Sequence, residues 1–271
     1  MKLPRPLNGK INVEFKKPDT RSIIEVYKKV DAGKIYSAML SILESGIESI
    51  EGEKPELSEL KDLPIVSAEF CVTEIFKEYS ISSKVENIYK CPRCGYLIKH
   101  EENEDEDSRD DILKIPIKYS TNNNPYELNL SKNNTVKIIS NDKVTAEFHS
   151  FKFRDPTLGD LIRLQSDQTK NDPYKALMKL NYDCLIDVDG HLYEEDFSDD
   201  IEQIKNRYLY EIMDFPDIRD FNKISNLFRT YGYQNKIDLI CPECEKKFDG
   251  RIEWTGFFAY ALRSTAMSEG K

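Results

Sequence analysis

Two Cys-Pro-x-Cys turns, Cys91-Pro92-Arg93-Cys94 and Cys241-Pro242-Glu243-Cys244, are separated by 146 residues in a chain of 271. Each is led in by β-like residues, Val85 to Lys90 before the first and Lys236 to Ile240 before the second. A Cys-x-x-Cys turn aims two thiolates at one point, and two such turns complete a tetrahedron around Zn²⁺. If they share one ion, distant segments of the chain must meet at it. Pro after the first Cys fixes φ for the turn, and Gly95 suits the left-handed position that follows.

Two other uses of paired cysteines fit less well. A redox Cys-x-x-Cys opens a helix in a βαβ unit, and neither turn precedes a helical pattern. Disulfides belong to oxidising compartments. The chain starts without a signal peptide or apolar h-region, which points to a reducing cytoplasm where thiol pairs hold metal. Cys71, in an apolar helical stretch, and Cys184, beside Leu185 and Ile186, read as small core residues. His100, His149 and His191 lack ligand-like spacing; His100, just past the first turn, is the weak substitute ligand. A closed Cys₄ site has no vacant position for water or substrate, so the expected Zn²⁺ is structural and the protein is not expected to be an enzyme.

Charge bears on partners. The formal net charge is −10, and Glu101-Glu102-Asn103-Glu104-Asp105-Glu106-Asp107 follows the first turn. That run reads as a solvated loop, and it would repel the phosphates that zinc ribbons often bind. Nucleic acid is therefore not the expected partner, nor is a small-molecule substrate. No run of 18 apolar residues exists, so no transmembrane span is expected.

Along the chain, the first 20 residues look extended, with Ile11, Val13 and Phe15 alternating. Ile35, Ala38, Met39, Ile42 and Leu43 then share one helical face. Gly46, Gly52 and Pro55 weaken or end that helix. A second helix runs from about Ser67 to Tyr79. After the acidic loop, Ile112 to Tyr119, Tyr126 to Leu130, Val136 to Ile139 and Lys143 to Phe153 read as strands separated by Asn-rich turns, as in a meander. Thr157 and Asp160 form a capping box at the start of a helix, and Pro173 opens another. Asp187-Val188-Asp189-Gly190 resembles part of a calcium loop, but the frame fails and a hairpin turn fits better. Helices are expected from Ser198 or Asp199 to Met213 and around Phe221, Ile224, Leu227 and Phe228. Trp254, Phe257 and Phe258 follow the second turn. The expected fold is α+β: helical N- and C-terminal segments joined by a Cys₄ zinc ribbon, with a β-rich central meander. Residues 1–99 and 184–271 would form the scaffold, 100–111 the acidic loop and 112–183 the central region.

Two segments, covering roughly two-fifths of the chain, carry a family resemblance. One runs from Leu63-Pro64-Ile65-Val66-Ser67-Ala68-Glu69-Phe70 through Phe76 and Ser80 to Val85 into the first turn. The other runs from Cys184-Leu185-Ile186-Asp187 through Tyr193, the two helices and the second turn to Gly256-Phe257-Phe258. In this order the chain resembles the baseplate hub and hub-assembly proteins of T4-like contractile-tailed bacteriophages. The resemblance implies a structural or assembly role in the tail baseplate hub, with other hub or tail proteins as partners. It implies a place in the virion and, during assembly, in the host cytoplasm. The alternative is a zinc-ribbon nucleic-acid-binding or transcription-associated module. That would use Lys84, Lys90, Arg93 and Lys99 near one turn and Lys246, Lys247 and Arg251 near the other.

Overall fold

The computed structural model describes residues 1–78, 88–99, 117–129, 136–140, 143–166, 173–188, 191–192, 223–224, 226–234 and 236–251. His100, the acidic run 101–107, the helix expected from Ser198, and Trp254, Phe257 and Phe258 lie outside them. In chain order the first elements are β1 (Lys2–Leu7), β2 (Lys10–Phe15), α1 (Thr20–Asp31), α2 (Ile35–Gly46), β3 (Ile47–Ile50), α3 (Leu57–Asp62) and α4 (Ile65–Glu78). There follow β4 (Ile88–Lys90), β5 (Leu97–Lys99), β6 (Ile117–Lys118), β7 (Tyr126–Asn129), β8 (Val136–Ser140), β9 (Lys143–Phe148) and β10 (Ser150–Phe153). The chain continues with α5 (Leu158–Ser166), α6 (Pro173–Cys184), β11 (Leu185–Val188), β12 (His191–Leu192), β13 (Gly232–Tyr233), β14 (Lys236–Ile240) and β15 (Lys247–Arg251). This is a mixed α+β architecture with small antiparallel sheets. Its two compact units are Met1–Thr121 with Tyr231–Lys271, and Asn122–Thr230.

The first unit opens on an antiparallel sheet of order β1-β2-β3. Val13, Ile47 and Ile50 point from it into the core. At the outer strand, Pro4 and Pro6 remove two backbone donors, as suits an edge. Ser67 of α4 covers the residue between them: its hydroxyl accepts from Arg5 N–H (3.0 Å) and donates to Arg5 C=O (2.6 Å). Helix α1 is capped by Asp19, whose carboxylate accepts from Ser22 N–H at 2.8 Å. It closes on Gly33 at φ 70°, with Lys34 N–H reaching Lys29 C=O. Val26 and Val30 of α1 and Ala38, Met39, Ile42 and Leu43 of α2 form one apolar layer. Gly46 does more than end α2. A Cβ there would come within 2.7 Å of the Ile75 side chain on α4, so the two helices approach at a residue without a side chain. Glu56 and Glu59 make a reciprocal box at the start of α3.

In the second unit the sheet order is β12-β11-β10-β7. A simple meander would pair β7 with β8. Instead β8 and β9 form their own hairpin, and β10 pairs back onto β7. The stretch from 143 to 153, read from sequence as one strand, divides at His149. Its second half carries Phe151 opposite Leu128 and Phe153 opposite Tyr126, and all four are buried. Matching apolar faces therefore set the pairing. Phe228 closes this core, edge-on to Tyr126 at 5.8 Å and to Phe153 at 6.1 Å. The Thr157–Asp160 box forms in both directions, at 2.8 and 3.2 Å. Buried Asp160 also accepts from Arg154 (2.6 and 3.0 Å) and from Arg163. Asp187 pairs with Lys152 at 3.6 Å, and Val188 lies opposite His191, the register of a two-residue hairpin connection.

Candidate metal centre

Each Cys-Pro-x-Cys turn joins two short antiparallel strands, β4 to β5 and β14 to β15. The local hydrogen bonding is the same in both. Cys91 N–H donates to Tyr96 C=O at 2.8 Å and Gly95 N–H to Cys91 C=O at 3.0 Å. In the second turn Cys241 N–H donates to Lys246 C=O at 3.0 Å and Glu245 N–H to Cys241 C=O at 2.8 Å. The residue after the second Cys is left-handed in each case, Gly95 at φ 75° and Glu245 at φ 55°. Glycine takes that conformation without cost; glutamate does not.

The structure brings all four sequence-predicted ligands together. The Sγ atoms of Cys91, Cys94, Cys241 and Cys244 lie within 4.8 Å of one another. Two contacts cross between the turns, Cys91 to Cys244 and Cys94 to Cys241, each at 3.6 Å. A disulfide requires about 2.05 Å, so these are free thiols. A tetrahedron with Zn–S bonds of about 2.3 Å has edges of about 3.8 Å, so the donor set fits such an ion in kind and in size. Cys91 and Cys241 are buried, Cys94 is exposed and Cys244 half-buried.

The thiols do not ionise alike. Burial pushes Cys91 up, but the N–H groups of Cys94 and Arg93 and the neighbouring thiols outweigh it and bring the group down to about 6. At Cys94 the Tyr96 N–H favours the thiolate, yet burial and the three other sulfurs leave it pushed up to about 12. Cys244 is raised as well: the Lys246 N–H lowers it, but burial and the Cys241 and Cys91 thiols prevail. Crowded sulfurs share few negative charges unless a cation is among them, and a divalent ion deprotonates thiols that coordinate it.

The elements leading to the two turns are fastened to each other. Strand β13, just before β14, pairs with β6 and packs on α4, the helix that precedes β4 in the chain. Tyr233 of β13 donates its hydroxyl to the Glu74 carboxylate on α4. Lys77 donates to the same oxygen at 2.9 Å and to the Tyr233 hydroxyl at 3.1 Å. Burial, then the Glu74 charge, hold the phenol far above its ordinary range, so it stays a donor. Gly232, at φ 84°, lies so close to Val66 that a Cβ would meet it at 2.9 Å. On the same stretch the guanidinium of Arg5, only 1% exposed, sits 4.9 Å from the centre of the Tyr231 ring. Sequence reasoning missed Arg5, Glu74, Lys77 and Tyr233; the one local signal is the i,i+3 spacing of Glu74 and Lys77, which suits an ion pair on a helix.

The remaining predicted residues lie elsewhere. Cys71 on α4 and Cys184 at the end of α6 are fully buried, and burial pushes both thiols well above their usual range, as befits core residues. His149 is exposed between β9 and β10, and His191 is in β12. Among the described residues, no helix is long and apolar enough to cross a membrane. No family model, curated protein or solved structure matches the chain.

Proposed function

We propose that this protein is a structural or assembly component of a contractile-tail baseplate hub, braced by one Zn²⁺ on Cys91, Cys94, Cys241 and Cys244. The observation that carries the metal half is the meeting of four thiols within 4.8 Å from positions about 150 residues apart. Four sulfurs in a tetrahedron suit zinc or iron. Zinc fits a bracing role because it is redox-inert and, with four protein ligands, offers substrate no open position. The paired hairpins would then be the two halves of a zinc ribbon. The hub half is supported by the resemblance of the Leu63–Val85 and Cys184–Phe258 segments to that family. Other hub or tail proteins are the proposed partners, in the virion and in the host cytoplasm during assembly. Elemental analysis of purified protein tests the metal: one zinc per chain is expected, and an iron–thiolate colour would overturn it. Pull-down with baseplate proteins tests the role, and a protein that captures none counts against it.

A second reading has one observation in its favour. Tyr96, 44% exposed, sits at the first turn with exposed Lys90 and Arg93, and Lys246 and Lys247 are exposed on the second. An aromatic ring among cations is a stacking platform for single-stranded nucleic acid. A mobility shift on RNA or DNA that fades as salt rises would favour that reading.

A further inference from the structure

The four thiols are unevenly shielded. Cys94 is exposed and Cys244 half-buried, whereas Cys91 and Cys241 are buried. Each reachable sulfur lies against a buried sulfur of the other turn, Cys94 against Cys241 and Cys244 against Cys91, both at 3.6 Å. A disulfide needs about 2.05 Å, so a shift of about 1.5 Å closes either pair. The turns differ from those that close on themselves. A redox Cys-x-x-Cys pair opens a helix, whereas each of these turns joins two antiparallel strands. The other two thiols, Cys71 and Cys184, are fully buried and out of an oxidant's reach.

We propose that the centre is a redox-sensitive clasp, in which a peroxide exchanges the metal bridge between the turns for two disulfides, Cys94–Cys241 and Cys91–Cys244. The exposed Cys94 thiolate attacks the peroxide O–O bond, which breaks; a sulfenic acid forms and hydroxide leaves. The Cys241 thiolate then attacks the Cys94 sulfur. The S–S bond forms, the S–O bond breaks and a second hydroxide leaves. Two electrons pass from the two sulfurs to one peroxide, and two protons from solvent convert the hydroxides to water. Cys244 and Cys91 repeat the sequence with a second peroxide. No thiolate then remains to hold Zn²⁺, which is released. Because both bonds cross between the turns, the two hairpins stay joined after the ion has gone. Pairing within each turn would instead separate them. The inference rests on the Zn²⁺ reading of this site and is independent of the hub role.

The test uses the full chain with its zinc counted beforehand. Hydrogen peroxide is added, released zinc is followed with a chromogenic chelator, and the remaining thiols are alkylated in denaturant. The protein is then digested with trypsin and Glu-C without reductant. Cleavage after Arg93 separates Cys91 from Cys94, and cleavage after Glu243 separates Cys241 from Cys244, so every pairing gives its own linked peptides. The Cys94–Cys241 link is expected first and the Cys91–Cys244 link second, with one zinc released for every two peroxides consumed. Cys71 and Cys184 are expected to be recovered alkylated. Dithiothreitol with added zinc is expected to restore the starting zinc content. Links within a turn, links to Cys71 or Cys184, sulfinic or sulfonic acids without links, or zinc retained through oxidation would each overturn the inference. A starting sample without zinc would overturn the metal reading and this inference with it; a zinc-loaded sample with the wrong links would overturn this inference alone.

Discussion

Glu245 holds in the second turn the left-handed place that Gly95 holds in the first. A side chain in that conformation costs about 1–2 kcal/mol, part of which glycine returns as extra freedom in the unfolded chain. Glu245→Gly is therefore expected to stabilise the metal-loaded protein by about 0.5–1 kcal/mol, and Gly95→Ala to destabilise it by about 1 kcal/mol, both read from thermal unfolding. Gly232→Ala combines a strained φ with a clash on Val66 and is expected to cost about 2 kcal/mol or more. Asp160 gives a pH dependence. Burial raises its pKa, but hydrogen bonds from Arg154 and Thr157 outweigh this and leave it below the usual 3.8. Its stabilisation is then complete above 3.8 and lost as pH falls through the depressed folded value. Acid unfolding of Asp160→Asn should have a shallower pH dependence than wild type below that point; an identical profile would show that the Arg154 pairing contributes nothing.

At the scale of elements, the hydroxyl of Tyr233 ties β13 to α4. Tyr233→Phe removes a hydrogen bond to a half-buried, charged carboxylate and is expected to cost about 1.5–3 kcal/mol, measured by denaturant midpoint. The wider consequence is positional. With β13 loosened, β14 is less well held, so zinc retention against a competing chelator should fall while the four ligands remain intact. Unchanged retention would make the Glu74–Tyr233–Lys77 cluster a purely local stabiliser. Several elements were legible in the sequence because their signals are local. The 3.6-residue spacing of Ile35, Ala38, Met39, Ile42 and Leu43 is α2, and the Thr157–Asp160 box starts α5 where expected. Other elements depend on contacts far along the chain. Whether β10 pairs with β9 or β7 turns on which faces match across the sheet, and Gly46 reads as a helix breaker until Ile75 is seen against it. Helix α1 was missed although Asp19 and Ser22 carry its cap, because its apolar face is only Ile23, Val26 and Val30. Of the candidate site, the four sulfurs were readable from spacing alone. The cluster that fastens their supporting elements was not, because Glu74 and Tyr233 are 159 positions apart.

For the whole molecule, the decisive feature is connectivity. Residues 122–230, the second unit, are inserted between the two turns of the first. Holding the ends of a loop this long costs about 5 kcal/mol of chain entropy, since the cost grows only slowly with length. Binding of zinc to four thiolates in small structural sites supplies about 10–16 kcal/mol, enough to hold both turns together across the insertion. Neither turn alone provides a closed site. The central claim is that one ion is shared by both. It is tested most directly by counting zinc in the wild type and in Cys91→Ser and Cys241→Ser, with circular dichroism on the same samples. The account predicts one zinc per chain in the wild type, loss of that zinc in each single variant, and a matching loss of folded signal. A wild type that is fully folded without metal, or either variant retaining a full equivalent, would contradict it.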